Sequence, residues 1–180
     1  MAGISKGTSN YTLNRQQHDH DLPVRHEESH LITCHRYGPK GERLVAGVVP
    51  LSSDRTQVLL IQSSARKGWV LPKGGWENDE SQQEAACREA WEEAGIECKI
   101  EKDLGEIEEK RTEAQIKKYG ASAPRALYRF FEVVVKEEKS SWPEAHKRDR
   151  QWMVYSKARD CLKDRPELLE ALERCSVKRK

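Results

Sequence analysis

The residues best suited to chemistry are glutamates crowded into one short segment. In "PKGGWENDESQQEAACREAWEEAGI", residues 72–96, Glu92 and Glu93 lie three and four positions after Glu89. Residues at that spacing share one face of a helix. Like charges gathered there destabilise an isolated helix, whereas a bound divalent cation reverses that effect, and Mg²⁺ prefers hard carboxylate oxygens. The segment therefore indicates either a metal site or a solvated acidic helix face.

A helix over residues 81–94 must position these glutamates. Ser81 and Glu84 fit the Ser-x-x-Glu capping box that begins many helices. Gly95 stands where a helix commonly ends in a left-handed residue. Apolar segments typical of short strands precede this helix ("RLVAGVVPL", "QVLLIQS", "GWVLP") and follow it ("LYRFFEVVV"). Two further helices are expected near the end of the chain. This order predicts an α+β fold, an α/β/α sandwich with a mixed β-sheet between helices.

Two boundaries in the second half of the chain are also predicted. The polar, basic segment from Lys110 to Ala126 is expected to be a long loop. The last helix, "PELLEALERC", is expected to begin with Asp164 as its cap and Pro166 in its first turn. Residues 1–40 are predicted to be a flexible polar arm, 41–176 the folded domain and 177–180 a basic tail.

Composition limits the class of protein. The 180 residues include 34% charged and 36% apolar residues, and no apolar run approaches the ~20 residues that cross a bilayer. The N-terminal residues lack the apolar region of a secretory signal. Five scattered cysteines without a CxxC pair are typical of reduced thiols in an intracellular protein. We therefore expect a protein of the cytoplasm, the nucleus or both, without a membrane partner.

The glutamate segment resembles the Nudix box, G-x5-E-x7-R-E-U-x-E-E-x-G-U, where U is an apolar residue. Every fixed position matches from Gly74 to Ile96, and the first apolar position holds the small residue Ala90. The resemblance implies a Nudix fold and hydrolysis of a phosphoanhydride bond with Mg²⁺, for which Mn²⁺ can substitute. A match at so many positions outweighs the interpretation as a solvated acidic face.

The resemblance also implies a role for each residue of the box. Glu89 and Glu93 would be metal ligands together with Gly74. Glu92 would be a further ligand or, in the subfamily named below, the base that activates water. Gly74 and Gly75 would let the backbone approach phosphate or metal closely. The remaining box residues, Glu80, Arg88 and Gly95, would be structural. Arg88 would orient the glutamates, with Glu80 as its salt-bridge partner.

The flanking segments resemble one subfamily. "RLVAGVVPL", "HKRDRQW" and "KDRPELLEAL" are similar to segments of the diphosphoinositol polyphosphate phosphohydrolases, which also cleave diadenosine polyphosphates, and the resemblance extends over residues 42–175. Such densely charged substrates need many cations in the pocket besides the metal. The predicted substrate-binding residues are Arg43, Ser63, Arg66, Lys73, Gly74, Gly75, Arg125, Arg148 and Arg165. Lys73 departs from a common "PGGG" form and adds a cation beside the metal site.

Two other functions stay open at this point. A nucleotide-directed Nudix pyrophosphatase, such as an mRNA-decapping enzyme, would need an aromatic clamp for the base. A non-catalytic module that binds an anionic ligand usually lacks box glutamates, all of which are present here. For the leading interpretation we expect a monomer that binds a small polyanionic substrate, such as an inositol pyrophosphate, a dinucleoside polyphosphate or inorganic polyphosphate, and no stable nucleic-acid partner.

Overall fold

The computed structural model describes residues 35–65, 67–111, 113–123 and 125–179. Its strands are β1 (Arg43–Leu51), β2 (Gln57–Gln62), β3 (Trp69–Val70), β4 (Lys73–Gly75), β5 (Ile96–Glu108), β6 (Ala126–Glu138) and β7 (Arg150–Val154). Its helices are α1 (Gln82–Ala94), α2 (Glu113–Tyr119), α3 (Tyr155–Leu162) and α4 (Pro166–Arg174). Most of the predicted N-terminal arm lies outside the described residues.

The strands form one mixed sheet with β1 near its centre. The order is β3-β2-β1-β6-β5, with β4 paired to β1 and β7 paired to β2. β1 runs parallel to β6, and the remaining pairs are antiparallel. Long runs of β1 and β2 are buried, as expected for strands covered on both faces. The predicted α+β fold with a mixed sheet and helices packed against it is confirmed.

The capping signals of α1 act as predicted. The Ser81 side chain accepts a hydrogen bond from the Glu84 amide, and the Glu84 carboxylate accepts one from the Ser81 amide. Gly95 has a φ of 62°, and its amide bonds back to the last turn. Arg150 donates to the Ala94 and Gly95 carbonyls at 2.6 and 3.1 Å. Both ends of the glutamate-bearing helix are therefore fixed, and its alanines face the core, where their small size allows close packing.

Two local predictions were wrong. The segment predicted as a long loop contains α2, whose first turn carries Glu113 and whose last turn carries Lys117 and Lys118. These charges suit the helix dipole, although the segment lacks a strong apolar period. The cap of α4 is Arg165 rather than Asp164, and no side chain bonds its amides. Pro166 favours an extended conformation in the residue before it, which places the boundary at residue 165.

Residues outside the predicted domain limits also form hydrogen bonds with the folded domain. His35 bridges Glu77, and the Arg36 amide donates to the Trp76 carbonyl at 2.9 Å. At the other end, the Lys178 amide donates to the Arg55 carbonyl at 2.8 Å. The paired chain thus begins before residue 41 and continues after residue 176. Within the described part, no helix is long and apolar enough to cross a membrane.

The buried carboxylate of Glu132 holds the C-terminal segment against the sheet. Glu132 is 1% exposed and accepts from Arg55 Nη1, the Ser176 amide and Ser176 Oγ, each at 2.7 Å. Replacing Glu132 with glutamine should lower the free energy of unfolding by about 2 kcal/mol, because charge-assisted hydrogen bonds become weaker or mismatched. The expected loss is no larger because the Arg55 side chain is 36% exposed, and solvent weakens its ion pair with Glu132.

Urea denaturation of the two proteins would measure this loss. Glu137→Gln is the matched control, since Glu137 is exposed on the same strand and should change stability by under ~0.5 kcal/mol. Equal stability losses in the two variants would contradict the role assigned to Glu132.

Candidate active site

A cavity of about 590 Å³ lies where β1, β4 and α1 meet the loop before β7 and the start of α4. It collects most of the residues that the sequence assigned to the site, from segments as far apart as Arg43 and Arg165. Those lining it are Arg43, Ser63, Lys73, Gly74, Gly75, Arg88, Glu89, Glu92, Glu93, Arg148 and Arg165.

The three adjacent glutamates of α1 have unequal environments. Glu89 and Glu93 are each 8% exposed, whereas the Glu92 side chain is 41% exposed. Burial raises the pKa of Glu89 to about 7, against the attraction of Arg88. Burial also raises the pKa of Glu93, although the Lys73 amide bonds its carboxylate at 2.8 Å. Two carboxylates are thus held where their charge is poorly solvated, and the third reaches solvent.

Arg88 ties the glutamates together. Its Nε and Nη2 donate to the Glu80 carboxylate at 3.0 and 2.8 Å, and Nη2 also donates to the Gly75 carbonyl at 2.9 Å. Its Nη1 donates to Glu89 at 2.9 Å and to Glu92 at 3.2 Å. One planar guanidinium therefore fixes three carboxylates relative to β4, which is the geometry predicted for Arg88 and Glu80.

The two glycines of β4 permit close approach of side chains. A Cβ on Gly74 would lie 2.1 Å from Glu89 Oε1, and a Cβ on Gly75 would lie 1.9 Å from His35 Cδ2. Both positions therefore exclude larger residues unless those side chains move. Gly95 does not line the cavity, but a Cβ there would lie 2.6 Å from the Trp142 ring, so its part is to end α1.

The basic side chains surround the carboxylates. Arg148 Nη2 donates to Glu93 at 2.6 Å, while its Nε bonds Glu144 at 2.5 Å. Arg165, at the cap of α4, reaches Ser63 Oγ at 3.4 Å. Burial lowers the pKa of Lys73, although Glu93 acts in the opposite direction. A phosphate placed here would favour the charged form of that lysine.

One predicted substrate-binding residue that the structure describes, Arg125, does not line this cavity. Arg125 lines a separate cavity with Lys40, Glu42 and Ser122. Its carbonyl accepts from the Arg43 amide at 3.1 Å, so its backbone adjoins the start of β1. Arg66 lies outside the described residues, and its predicted role stays a prediction.

Eight further residues line the cavity that sequence reasoning did not assign to the site, among them His35, Glu77, Tyr128 and Glu144. His35 fell in the predicted arm, and its approach to Gly75 depends on a β-bridge that no local pattern indicates. Tyr128 stacks with Phe130 at 6.0 Å between ring centroids, and burial raises its pKa to about 12. Glu144 is joined to α1 by its amide, which donates to the Glu92 carbonyl at 3.1 Å.

The donor chemistry of this site suits a hard divalent cation. Within the described residues, no three acidic, histidine or cysteine side chains already converge as a metal cage. However, Mg²⁺ usually binds one or two carboxylates and keeps waters and substrate phosphates as its other ligands. Glu89 and Glu93 supply two buried carboxylates, and the missing side chain at Gly74 leaves room for the Glu89 carboxylate against the β4 backbone.

Comparison with known proteins agrees with this geometry. The NUDIX domain family matches residues 41–175. A curated relative, Nudix hydrolase 18, mitochondrial, from Arabidopsis thaliana, is 39% identical over 136 residues, which cover 69% of this chain and 72% of the relative. These findings extend well beyond the glutamate segment.

Solved structures share the fold. A NUDIX hydrolase from Nitrosomonas europaea superposes with a TM-score of 0.61 at 19% identity, covering 74% of this chain and 87% of that one. A C. elegans Ap4A hydrolase gives a TM-score of 0.54 at 21% identity, covering 74% and 95%. With the family match spanning the sheet, the glutamate helix and the closing helices, the chain belongs to the NUDIX domain family.

Proposed function

We propose that this protein is a Mg²⁺-dependent hydrolase of phosphoanhydride bonds in diphosphoinositol polyphosphates. Diadenosine polyphosphates and inorganic polyphosphate are proposed as further substrates, since they present the same anhydride in a chain. The family supports hydrolysis of a pyrophosphate bond. The choice of substrate depends on the charges of the cavity.

The observation that carries the proposal is the balance of these charges. Five lysines or arginines and five glutamates line the cavity among the described residues, in addition to one histidine. The formal charges cancel, so a bound dication would make the site positive. Arg43, Lys73, Arg148 and Arg165 come from four different segments, so they surround a compact ligand. A densely phosphorylated ring fits such an arrangement better than a linear chain of phosphates.

The residues of the cavity would have three roles in the reaction: metal binding, proton transfer and phosphate binding. When bound, Mg²⁺ would polarise the phosphoryl oxygens and lower the pKa of a water ligand. Glu89 and Glu93 would hold it, with Arg88 and the Lys73 amide fixing their carboxylates. Glu92 is exposed enough to take a proton from the attacking water. The basic residues would hold the phosphates and the leaving group, so that the attacked phosphorus lies near Glu92.

The nucleotide-directed alternative lacks its expected support. A base clamp needs an aromatic face open to the ligand. Tyr128 is the one phenylalanine, tyrosine or tryptophan that lines the cavity within the described residues, and it packs on Phe130. The Arg36 guanidinium lies over Trp76, with its Cζ 4.2 Å from the centroid of the Trp76 ring. These contacts favour a ligand recognised through its phosphates.

The proposal includes a monomer, as expected from the sequence. It also includes the cytoplasm or the nucleus as the compartment. The cysteines at 87, 98, 161 and 175 are free thiols, as expected in a reducing environment. Size-exclusion chromatography and imaging of the tagged full chain would test these two statements.

A turnover assay with two substrates tests the proposed function. The purified full chain with Mg²⁺ should release phosphate faster from a diphosphoinositol pentakisphosphate than from diadenosine hexaphosphate. Arg165→Gln should raise KM for the inositol compound about 10-fold, the value of one charge-assisted hydrogen bond. Its kcat should change less, because Arg165 binds substrate and transition state alike.

Arg129→Gln is the matched control, since Arg129 pairs with Asp103 on the sheet and does not line the cavity. Its KM should equal that of the wild type. Activity confined to the dinucleotide, or equal KM values for Arg165→Gln and the wild type, would overturn the assignment to inositol pyrophosphates.

A further inference from the structure

The Arg148 guanidinium is shared between two carboxylates that line the cavity. Its Nη2 donates to Glu93 Oε1 at 2.6 Å, and its Nε donates to Glu144 Oε2 at 2.5 Å. The side chains of Arg148 and Glu93 are each 10% exposed, whereas that of Glu144 is 25% exposed. Its third nitrogen, Nη1, donates to the Gln62 carbonyl at 3.2 Å. Arg148 therefore forms a buried ion pair with one of the two proposed metal ligands.

This ion pair involves the Glu93 oxygen that a metal would need. Glu93 Oε2 accepts from the Lys73 amide at 2.8 Å, and Oε1 accepts from Arg148. A guanidinium and a dication at the same oxygen repel each other, and the repulsion is strong because both side chains are shielded from water. Binding of a metal through Glu93 Oε1 therefore requires that Arg148 Nη2 leave that oxygen.

We propose that Arg148 is a positioning residue that couples metal binding to phosphate binding. Its guanidinium competes with the metal for Glu93 and transfers to a substrate phosphate when the metal binds. The inference rests on the metal site of the proposed function, but not on the identity of the substrate. Arg148 keeps Glu144 as a partner after leaving Glu93, and a phosphate supplies the acceptor oxygen that it has lost. The exchange thus avoids a buried charge without a partner, which would be strongly destabilising.

The exchange makes the two ligands bind cooperatively. A phosphate that draws Arg148 away from Glu93 removes a competitor of the metal, so Mg²⁺ binds more tightly when phosphate is present. By thermodynamic linkage, Mg²⁺ tightens the binding of that phosphate by the same factor. Without phosphate, the ion pair keeps the metal affinity low. Arg148 therefore favours loading of the metal together with the substrate over loading of the metal alone.

Calorimetric titration of the full chain with Mg²⁺ alone tests the competition. Arg148→Gln should bind Mg²⁺ about 5- to 10-fold more tightly than the wild type, at the lower end of typical couplings between two sites. Glutamine is uncharged, so it leaves the buried Glu93 carboxylate for the dication. If Arg148 instead held Glu93 in position for the metal, Arg148→Gln would bind Mg²⁺ more weakly, and the inference would be wrong.

Arg43→Gln is the matched control for the loss of one positive charge from the cavity. Arg43 lines the same cavity, and among the described residues the ion pair of Glu93 is with Arg148 rather than with Arg43. The Mg²⁺ affinity should therefore change clearly less in Arg43→Gln than in Arg148→Gln. Equal gains in the two variants would show that the missing charge, and not the missing ion pair, causes the effect, which would overturn the competition.

Repeating the titrations with inorganic phosphate tests the coupling. Phosphate should raise the Mg²⁺ affinity of the wild type more than that of Arg148→Gln, because the variant has no guanidinium to transfer. Circular dichroism would verify that the variant is folded. An equal effect of phosphate on the two proteins would show that phosphate acts on the metal without Arg148, and the proposed transfer would be wrong.

A further measurement uses the wild-type protein and so does not depend on the folding of Arg148→Gln. In ¹⁵N-arginine-labelled protein, the ion pair with Glu93 should slow the rotation of the Arg148 guanidinium, and saturating Mg²⁺ should make it faster. Arg148→Lys, which keeps the charge, identifies the signal. An Arg148 signal that does not respond to bound Mg²⁺ would overturn the inference. Absence of turnover of the inositol compound would count against the proposed function alone.

Discussion

Replacing Glu92 with glutamine is expected to lower kcat for a diphosphoinositol polyphosphate by about 10²- to 10⁴-fold, the range of a lost general base. Glutamine keeps the size of the side chain and can still accept a hydrogen bond from Arg88, but it cannot take a proton from water. Glu92 is the exposed member of the three, with Arg88 Nη1 3.2 Å from one oxygen. Since it is not the proposed metal ligand or phosphate contact, KM should change little.

Single-turnover kinetics of the wild type and the Glu92→Gln variant would measure this loss in kcat, and circular dichroism would verify that the variant is folded. Glu137→Gln, on an exposed part of β6, is the control for the loss of one carboxylate and should retain wild-type activity. If Glu92→Gln kept activity within threefold of the wild type, Glu92 would serve only to pair with Arg88. The base would then be sought at Glu144, which lines the same cavity.

The helix that carries Glu92 could be predicted from sequence because its signals are local. Ser81 and Glu84 satisfy each other across one turn, and Gly95 needs only its own backbone freedom to end the helix. The glutamate spacing then determines which side chains share a face. In contrast, β4 has three residues and depends on pairing with β1, so nothing in "KGG" alone indicates a strand. α2 was missed because a polar segment without an apolar period resembles a loop.

The sequence predicted the lining residues that belong to the box or to strand ends. It did not predict the residues that distant segments of the chain bring to the cavity. Arg148 and Arg165 were identified through their resemblance to a subfamily, and both do line the cavity. Arg125 was assigned from its charge and its position outside the box, yet it lines another cavity. His35 reaches Gly75 through a single bridge to Glu77. Such contacts depend on how the loops close over the sheet, which charge and spacing do not specify.

Replacing Gly74 with alanine is expected to remove the effect of Mg²⁺ while leaving the fold intact. The new Cβ would lie 2.1 Å from Glu89 Oε1, so the Glu89 carboxylate must swing away from the proposed metal position. Because only the end of one side chain must move, the melting temperature without metal should stay near that of the wild type. The affinity for Mg²⁺ should fall about 10- to 100-fold, as for other changes that misplace a metal ligand.

Thermal unfolding with and without Mg²⁺ separates these effects. Mg²⁺ at millimolar concentration should raise the melting temperature of the wild type, and both Gly74→Ala and Glu89→Gln should lose most of this rise. Gly38→Ala is the matched control, because its Cβ would also meet a glutamate carboxylate, Glu42 Oε2 at 2.6 Å, but outside the cavity. Its response to Mg²⁺ should match the wild type.

Combining the two site variants tests whether they act on the same atoms. If alanine at position 74 works by displacing Glu89, the Gly74→Ala, Glu89→Gln double variant should bind Mg²⁺ about as weakly as Glu89→Gln alone, because the ligand is lost once. Fully additive losses would mean that Gly74 contributes separately, through its own carbonyl. If the melting temperature of the wild type did not respond to Mg²⁺, the assignment of a metal to these carboxylates would be wrong. Glu89 and Glu93 would then need another cationic partner.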